Sequence, residues 1–198
     1  MVPASETQKR IIPAEITRLD ILVLLARDNE CNYLVRELQR TRARVQQLWP
    51  IPDPIPDADV LVASVAPGLP ARLPWVPGSP CAALIGIVGG APIDLDLIKL
   101  CAVDAVLHRP FEAQAIVVSL LQAWSHFAYE RRLRARIDKL EETLRSLRTV
   151  ERAKSILVRT RQLGEDEAYD LMRRQAMERR VSVGMVAAAI VDSHQILG

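Results

Sequence analysis

Every proline in the chain lies at or before Pro110, and none follows. Proline removes a backbone donor and pushes the residue before it out of the helical region. Its 13 occurrences therefore cut the first 110 residues into short elements and leave the remainder free to run as helix. Charge divides in the same way. Residues 1–129 hold 11 basic and 13 acidic side chains, whereas residues 130–198 hold 15 and 11. Two architectures share one chain, with the change near residue 111. At 198 residues and 49% apolar content, the chain can bury a core in one domain or two small ones, which excludes global disorder.

The proline-bearing part alternates strand-like and helix-like runs. Leu19–Leu25 (LDILVLL) is a continuous apolar run but for Asp20, the pattern of a strand covered on both faces. Cys31, Leu34, Val35 and Leu38 recur at helical spacing. Strands are predicted at Arg44–Trp49, Asp59–Val65, Ala82–Val88 and Ala102–Leu107, with a short helix at Asp94–Cys101. Pro50–Pro56 and Pro67–Pro80 are irregular. Gly86, Gly89 and Gly90 read as turn glycines. The order β-α-β-β-β-α-β with continuous apolar strands implies a five-stranded parallel sheet covered on both sides.

From Phe111 to about Arg161 nothing breaks a helix, and ~50 residues at 1.5 Å each would reach roughly 75 Å. Leu133, Ile137, Leu140, Leu144 and Leu147 are spaced 4, 3, 4, 3, a heptad seam. Glu130 and Arg134, and Glu141 and Arg145, stand at i, i+4 beside it. A narrow apolar seam on a polar helix needs a partner helix, and the simplest is a second copy of the same chain. The other reading has the helix fold back on its own first domain.

Three short helices are predicted to follow the seam. The first runs over Val150–Arg161, with Gly164 as its C-cap. The second covers Glu165–Arg180, with an acidic first turn. Ser182 caps the third, in which Val183, Val186, Ala187 and Ile190 face inward. The predicted organisation is a tail (1–17), an α/β domain (18–125), a coiled-coil dimerisation helix (126–149) and a three-helix domain (150–198).

The parts of an enzyme are missing. His108, His126 and His194 sit on separate elements without ligand spacing, and no phosphate-cradling glycine loop or GxSxG occurs. Neither a metal nor an organic cofactor is expected. Cys31, Cys81 and Cys101 have no CxxC spacing and read as buried small hydrophobes in a reducing cytosol. No apolar run approaches the ~18 residues of a membrane span. The opening MVPASETQKRIIPAEI lacks a signal-peptide core, so a cytoplasmic protein is expected.

The first domain resembles a response-regulator receiver, a flavodoxin-like fold with strand order 2-1-3-4-5. In that family an aspartate at the end of the third strand accepts a phosphoryl group. Acidic residues after the first strand bind Mg²⁺, and a lysine before a proline follows the fifth. Here Ser64 stands at the acceptor position. Ala26-Arg27-Asp28 leaves one carboxylate and puts a cation in the metal's place. His108-Arg109-Pro110-Phe111 has arginine for lysine. Serine forms no acyl-phosphate and Mg²⁺ wants several carboxylate oxygens, so a pseudo-receiver is expected. The alternative acceptor is Asp59.

Positive charge concentrates on the predicted three-helix domain. Arg152 and Arg159 share one edge of its first helix, Lys154 and Arg161 the other, and Arg173-Arg174 and Arg179-Arg180 continue the basic surface. A solvated helical face explains such charge equally well until two copies double its field. The run Val150-Glu-Arg-Ala-Lys-Ser-Ile-Leu-Val, followed by Leu163-Gly-Glu-Asp-Glu-Ala-Tyr-Asp-Leu-Met-Arg-Arg-Gln-Ala-Met and Val183–Ile190, resembles the ANTAR domain. That domain is the RNA-binding antiterminator module of the AmiR/NasT family. Ser155 and Val158 replace that pattern's usual glycine and methionine. With Ala43–Ile55 and Ser64, the chain is most similar to the AmiR branch.

The resemblance implies a dimer that holds paired leader-RNA stem-loops and so keeps an overlapping terminator from forming. It implies RNA contacts at Ala153, Lys154, Arg159, Arg161, Arg173, Arg174, Arg179 and Arg180. It also implies control by a ligand-sensing negative regulator of periplasmic-binding-protein fold instead of phosphorylation. Two other classes stay open: a DNA-binding response regulator with a helix-turn-helix, and a coiled-coil adaptor. Against the first, the third helix (VGMVAAAIVDSH) has no lysine or arginine.

Overall fold

A computed structural model describes residues 13–76, 79–89 and 94–197, apart from the side chains of residues 196 and 197. Gly90, expected in a turn, and most of the expected N-terminal tail lie outside the described residues. The chain divides into two compact units, Met1–Arg131 and Arg132–Gly198.

In the first unit, strands β1 (Asp20–Leu24), β2 (Arg44–Gln47), β3 (Val60–Ser64), β4 (Ala83–Val88) and β5 (Ala105–His108) form one sheet of order β2-β1-β3-β4-β5. Every pairing is parallel. Alternation along the strands feeds two cores. Ile21, Val23, Val60, Val62, Ile85, Ile87 and Leu107 point to one face. There Cys31, Leu34 and Leu38 of α1 (Asn29–Gln39) meet Ile116, Leu120, Ala123 and Phe127 of α3 (Ala113–Arg161). Leu22, Leu24, Leu61, Ala63 and Leu84 point to the other, where Leu97 and Cys101 of α2 (Leu95–Cys101) cover them.

That second face is short of helix, and proline-rich chain completes it. Ile55 and Leu69 are buried there, with Leu48, Ile51, Leu73 and Trp75 packed at the edge. Irregular backbone serves because Pro offers no N–H to satisfy and these segments still place an apolar residue every few positions.

Several strand ends differ from expectation. The fifth strand starts at Ala105, not Ala102, because Ala102 takes the left-handed conformation (φ 54°) as the C-cap of α2. The second ends at Gln47, and Trp49 joins Pro50 through a cis bond. Gly86 is not a turn glycine. It lies inside β4, opposite Ala63 and Val106, where a Cβ would meet the side chains of Val65 and Val103 at 2.7 and 2.9 Å. The expected tail also contributes to the fold: Ile16, in a 3-10 turn over Ile16–Arg18, is only 1% exposed. Cys31 and Cys101 are buried as expected, but Cys81 is exposed.

Helix α3 is one element of 49 residues, so the predicted first helix of the C-terminal domain is its last three turns and not a separate helix. It ends at Arg161, and Gln162 takes φ 54°. Gly164, expected as a C-cap, is instead the N-cap of α4 (Glu165–Arg179), extended at φ −68°, and its N–H donates to Glu167 Oε2 at 2.8 Å. Helix α5 (Val183–Leu197) follows, with Ser182 Oγ accepting from Met185 N at 3.2 Å as the cap pattern predicted. Val150, Ala153, Ile156 and Leu157 of α3 pack with Ala168 and Met172 of α4 and Ala187 and Val191 of α5. A Cβ at Gly184 would collide with Ser146 of α3, so glycine lets α5 start against that helix.

Candidate nucleic-acid interface

The residues read as degenerate receiver positions gather at the carboxyl ends of the strands. Ser64 closes β3 there and is exposed. Asp59 lies at the opposite end, just before β3, where its Oδ2 accepts from Asp20 N at 2.9 Å, so it is not placed as an acceptor. The cation facing the remaining carboxylate is not Arg27, which is exposed, but Arg109 from the end of β5. Its guanidinium lies 3.1 Å from Asp28 and 2.5 Å from Glu30, and sits 5.0 Å above the Phe111 ring centroid. Burial pulls the Arg109 pKa down, but its bonds to Glu30 and Asp28 outweigh this and hold it above the usual arginine value. Asp28 is held below the usual carboxylate range, first by the Cys31 N–H it caps, then, against burial, by Arg109. Among the described residues no cluster of three His, Cys, Asp or Glu side chains is disposed to hold a metal. Arg109 thus sets a cation of the chain's own between Asp28 and Glu30 at this end of the sheet.

The seam residues Leu133, Ile137, Leu140, Leu144 and Leu147 lie on α3, 42–57% exposed. Large aliphatic side chains repeated in this way over four helical turns form an apolar stripe with nothing from the described residues laid over it. Beside it, Arg145 and Glu141 approach at 3.5 Å, the expected i, i+4 pair. Glu130 also approaches His126 Nε2, at 3.6 Å.

The basic side chains of the second unit separate into groups. Arg161, Arg173 and Arg174 converge on one trough of about 840 Å³ between the end of α3 and α4, with Glu167 and Asp170 on its lining. Arg179 stands with Arg161 on a second groove, of about 680 Å³. Arg152 and Arg159 line a third, beside α5, where Arg159 donates to His194 Nε2 at 2.7 Å. Arg180 is the left-handed C-cap of α4 (φ 54°) and is exposed.

Two of the expected contacts sit differently. Ala153 is fully buried in the helical core, so its small side chain serves packing and presents nothing to a ligand. Lys154 is held by its own chain: its ammonium lies 3.2 Å from Glu151 and 3.3 Å from Glu165, joining α3 to the start of α4. The hydrogen bond to Glu151, then that to Glu165, raises its pKa above the usual lysine value. Two carboxylates around one ammonium leave little net field for a polyanion. Arg152, not among the expected contacts, shares a groove with Arg159. The seven-residue spacing of the two was the signal for it.

Comparison with known proteins follows this division. A family described as AmiR, N-terminal, matches residues 19–124, and the ANTAR domain family matches residues 138–191. The chain is 25% identical over 185 residues to the aliphatic amidase regulator of Pseudomonas aeruginosa, covering 90% of this chain and 93% of that one. It is 29% identical over 89 residues to the transcriptional regulatory protein PdtaR of Mycobacterium tuberculosis, covering 45% and 43% of the two chains. The solved response regulator StyR has a TM-score of 0.54 at 17% identity, covering 89% of this chain and 100% of that one, a likeness of fold alone. No helix among the described residues is long and apolar enough to cross a membrane.

Proposed function

Since the chain belongs to the AmiR N-terminal family and carries an ANTAR domain, we propose that it is a dimeric RNA-binding transcription antiterminator. It grips paired stem-loops in a leader transcript, and the terminator that overlaps them does not form. The observation that carries this reading is the trough where Arg161, Arg173 and Arg174 converge inside the ANTAR stretch. Arginine is suited to the task, because its planar fork pairs with phosphate oxygens and stacks on bases.

Dimerisation through Leu133, Ile137, Leu140, Leu144 and Leu147 gives two such troughs to one RNA. Control comes from a ligand-sensing partner protein and not from phosphorylation. The Arg109 pairing with Asp28 and Glu30 supports this, since it fills the acidic pocket from within. Exposed Trp49 and Val76, on the irregular segments of the first unit, offer that partner apolar contacts.

A gel shift tests the reading. Leader RNA with two hairpins is bound far better than duplex DNA of equal length. Affinity falls steeply with salt, because each neutralised phosphate of a single strand contributes a slope of about −0.7 in log–log form. Replacing Arg161 and Arg173 by alanine flattens that slope by about 1.4 if each holds one phosphate. Preference for duplex DNA would favour the helix-turn-helix alternative, against which stands an α5 without lysine or arginine. Binding to neither would leave the adaptor reading.

A further inference from the structure

Arg161 borders two grooves of different character. On one side it shares the trough with Arg173 and Arg174. On the other it forms the rim, with Arg179, of a groove where α3, α4 and α5 all contribute walls. Leu157, Leu171, Val186 and Ile190 line that second groove, and Arg161 and Arg179 are both exposed at it. Phosphate gains nothing from aliphatic walls. A nucleobase does, because its faces are apolar while its backbone stays charged. RNA loops are read by splaying such bases out and stacking them on aromatic rings or guanidinium planes. Residues 132–198 hold no Phe or Trp, and their one Tyr, Tyr169, does not line the groove, whereas the imidazole of His194 does. Stacking there falls to arginine, to that imidazole and to the aliphatic walls.

Resting on the RNA reading above, we infer that the groove between α3, α4 and α5 receives one unstacked loop base of the RNA. Arg161 and Arg179 flank that base, and the adjoining backbone runs into the trough of Arg173 and Arg174. The side chain of Arg161 marks the crossing point. The charge at the rim suits this occupant, since a base inserted there carries phosphates on either side of it. Polar reach for the base edge comes from Thr160 and Gln175, which also line the groove.

The test uses the full chain and a pool of RNA hairpins with randomised loops. A selected hairpin is remade with an abasic site at each loop position in turn. One position should weaken binding about ten- to a hundredfold, the measured range for a stacked base, and the others much less. Ala189, exposed on the groove wall, is changed to leucine to fill the space without altering charge. Ala189→Leu should bind the intact hairpin as weakly as the wild type binds the critical abasic one, and the abasic penalty should vanish. Arg173→Ala should weaken intact and abasic hairpins by equal factors. A selected hairpin bound with no abasic penalty at any position overturns the groove assignment alone. Failure of the pool to yield any binder overturns the RNA reading and this inference with it. Where Ala189→Leu does not fold, Arg179→Ala decides: it should shrink the abasic penalty at the critical position, and an unchanged penalty overturns the groove assignment.

Discussion

Leu140 is the middle residue of the seam, and Leu140→Ala measures what the seam contributes. The change removes three carbons, worth about 2.4 kcal/mol if they pass from full exposure to full burial. In the single chain Leu140 is 56% exposed, so a partner helix covers a little over half of that. The loss is then about 1.3 kcal/mol per copy and about 2.7 kcal/mol per dimer. At 1.4 kcal/mol per factor of ten, the dimer dissociation constant rises about a hundredfold, and any unfilled cavity adds to this. Sedimentation equilibrium over a wide concentration range reads it directly. Glu142→Ala, exposed and off the seam, is the control. A shift for Leu140→Ala no larger than the control's would show that this face is not the dimer contact.

Three further outcomes follow from the first unit. Gly86→Ala forces Val65 and Val103 to move and should cost about 1–3 kcal/mol, lowering the urea midpoint with an unchanged slope; an unmoved midpoint would show that β4 has room. His126 Nδ1–H donates across 2.7 Å to Asp104 Oδ1, and that bond, then its charge against burial, raises the His126 pKa. Its stabilisation is therefore complete below the unfolded value near 6.5 and is lost as pH rises through the higher folded value. Asp104, raised by burial despite this partner, acts with the same sign in the acid range. His126→Asn should flatten the decline of unfolding free energy above neutrality, and an unchanged profile would remove His126 as its source. Incubated with acetyl phosphate and Mg²⁺, the wild-type chain should keep its intact mass. A gain of one phosphoryl group would locate an acceptor where none is expected.

The parallel sheet was legible because doubly covered strands are apolar along their length, as in Ile21–Leu24 and Ala83–Val88. The seam was legible because its spacing is regular. The proline-rich cover over the second face was not, since Ile55 and Leu69 follow no period and only the fold shows what they pack against. Glu30 was missed as a partner of Arg109 because 79 residues separate them. Ala153 and Lys154 were read from a motif as ligand contacts, yet one is core and the other is paired within the chain. A motif records which residue types recur, and helix packing selects a small residue as strongly as ligand binding does. The arginines of the trough were found as a set because α3 and α4 both carry basic residues near their shared turn. Their division among three grooves needed coordinates.

In the dimer proposed above the seam holds only five large residues, and a zipper that short closes by mass action. Where the chain is scarcer than its dissociation constant, halving the supply leaves about a quarter of the closed pairs. A cell could then throttle the output of such a regulator through gene dosage alone, with a response steeper than the change in copy number.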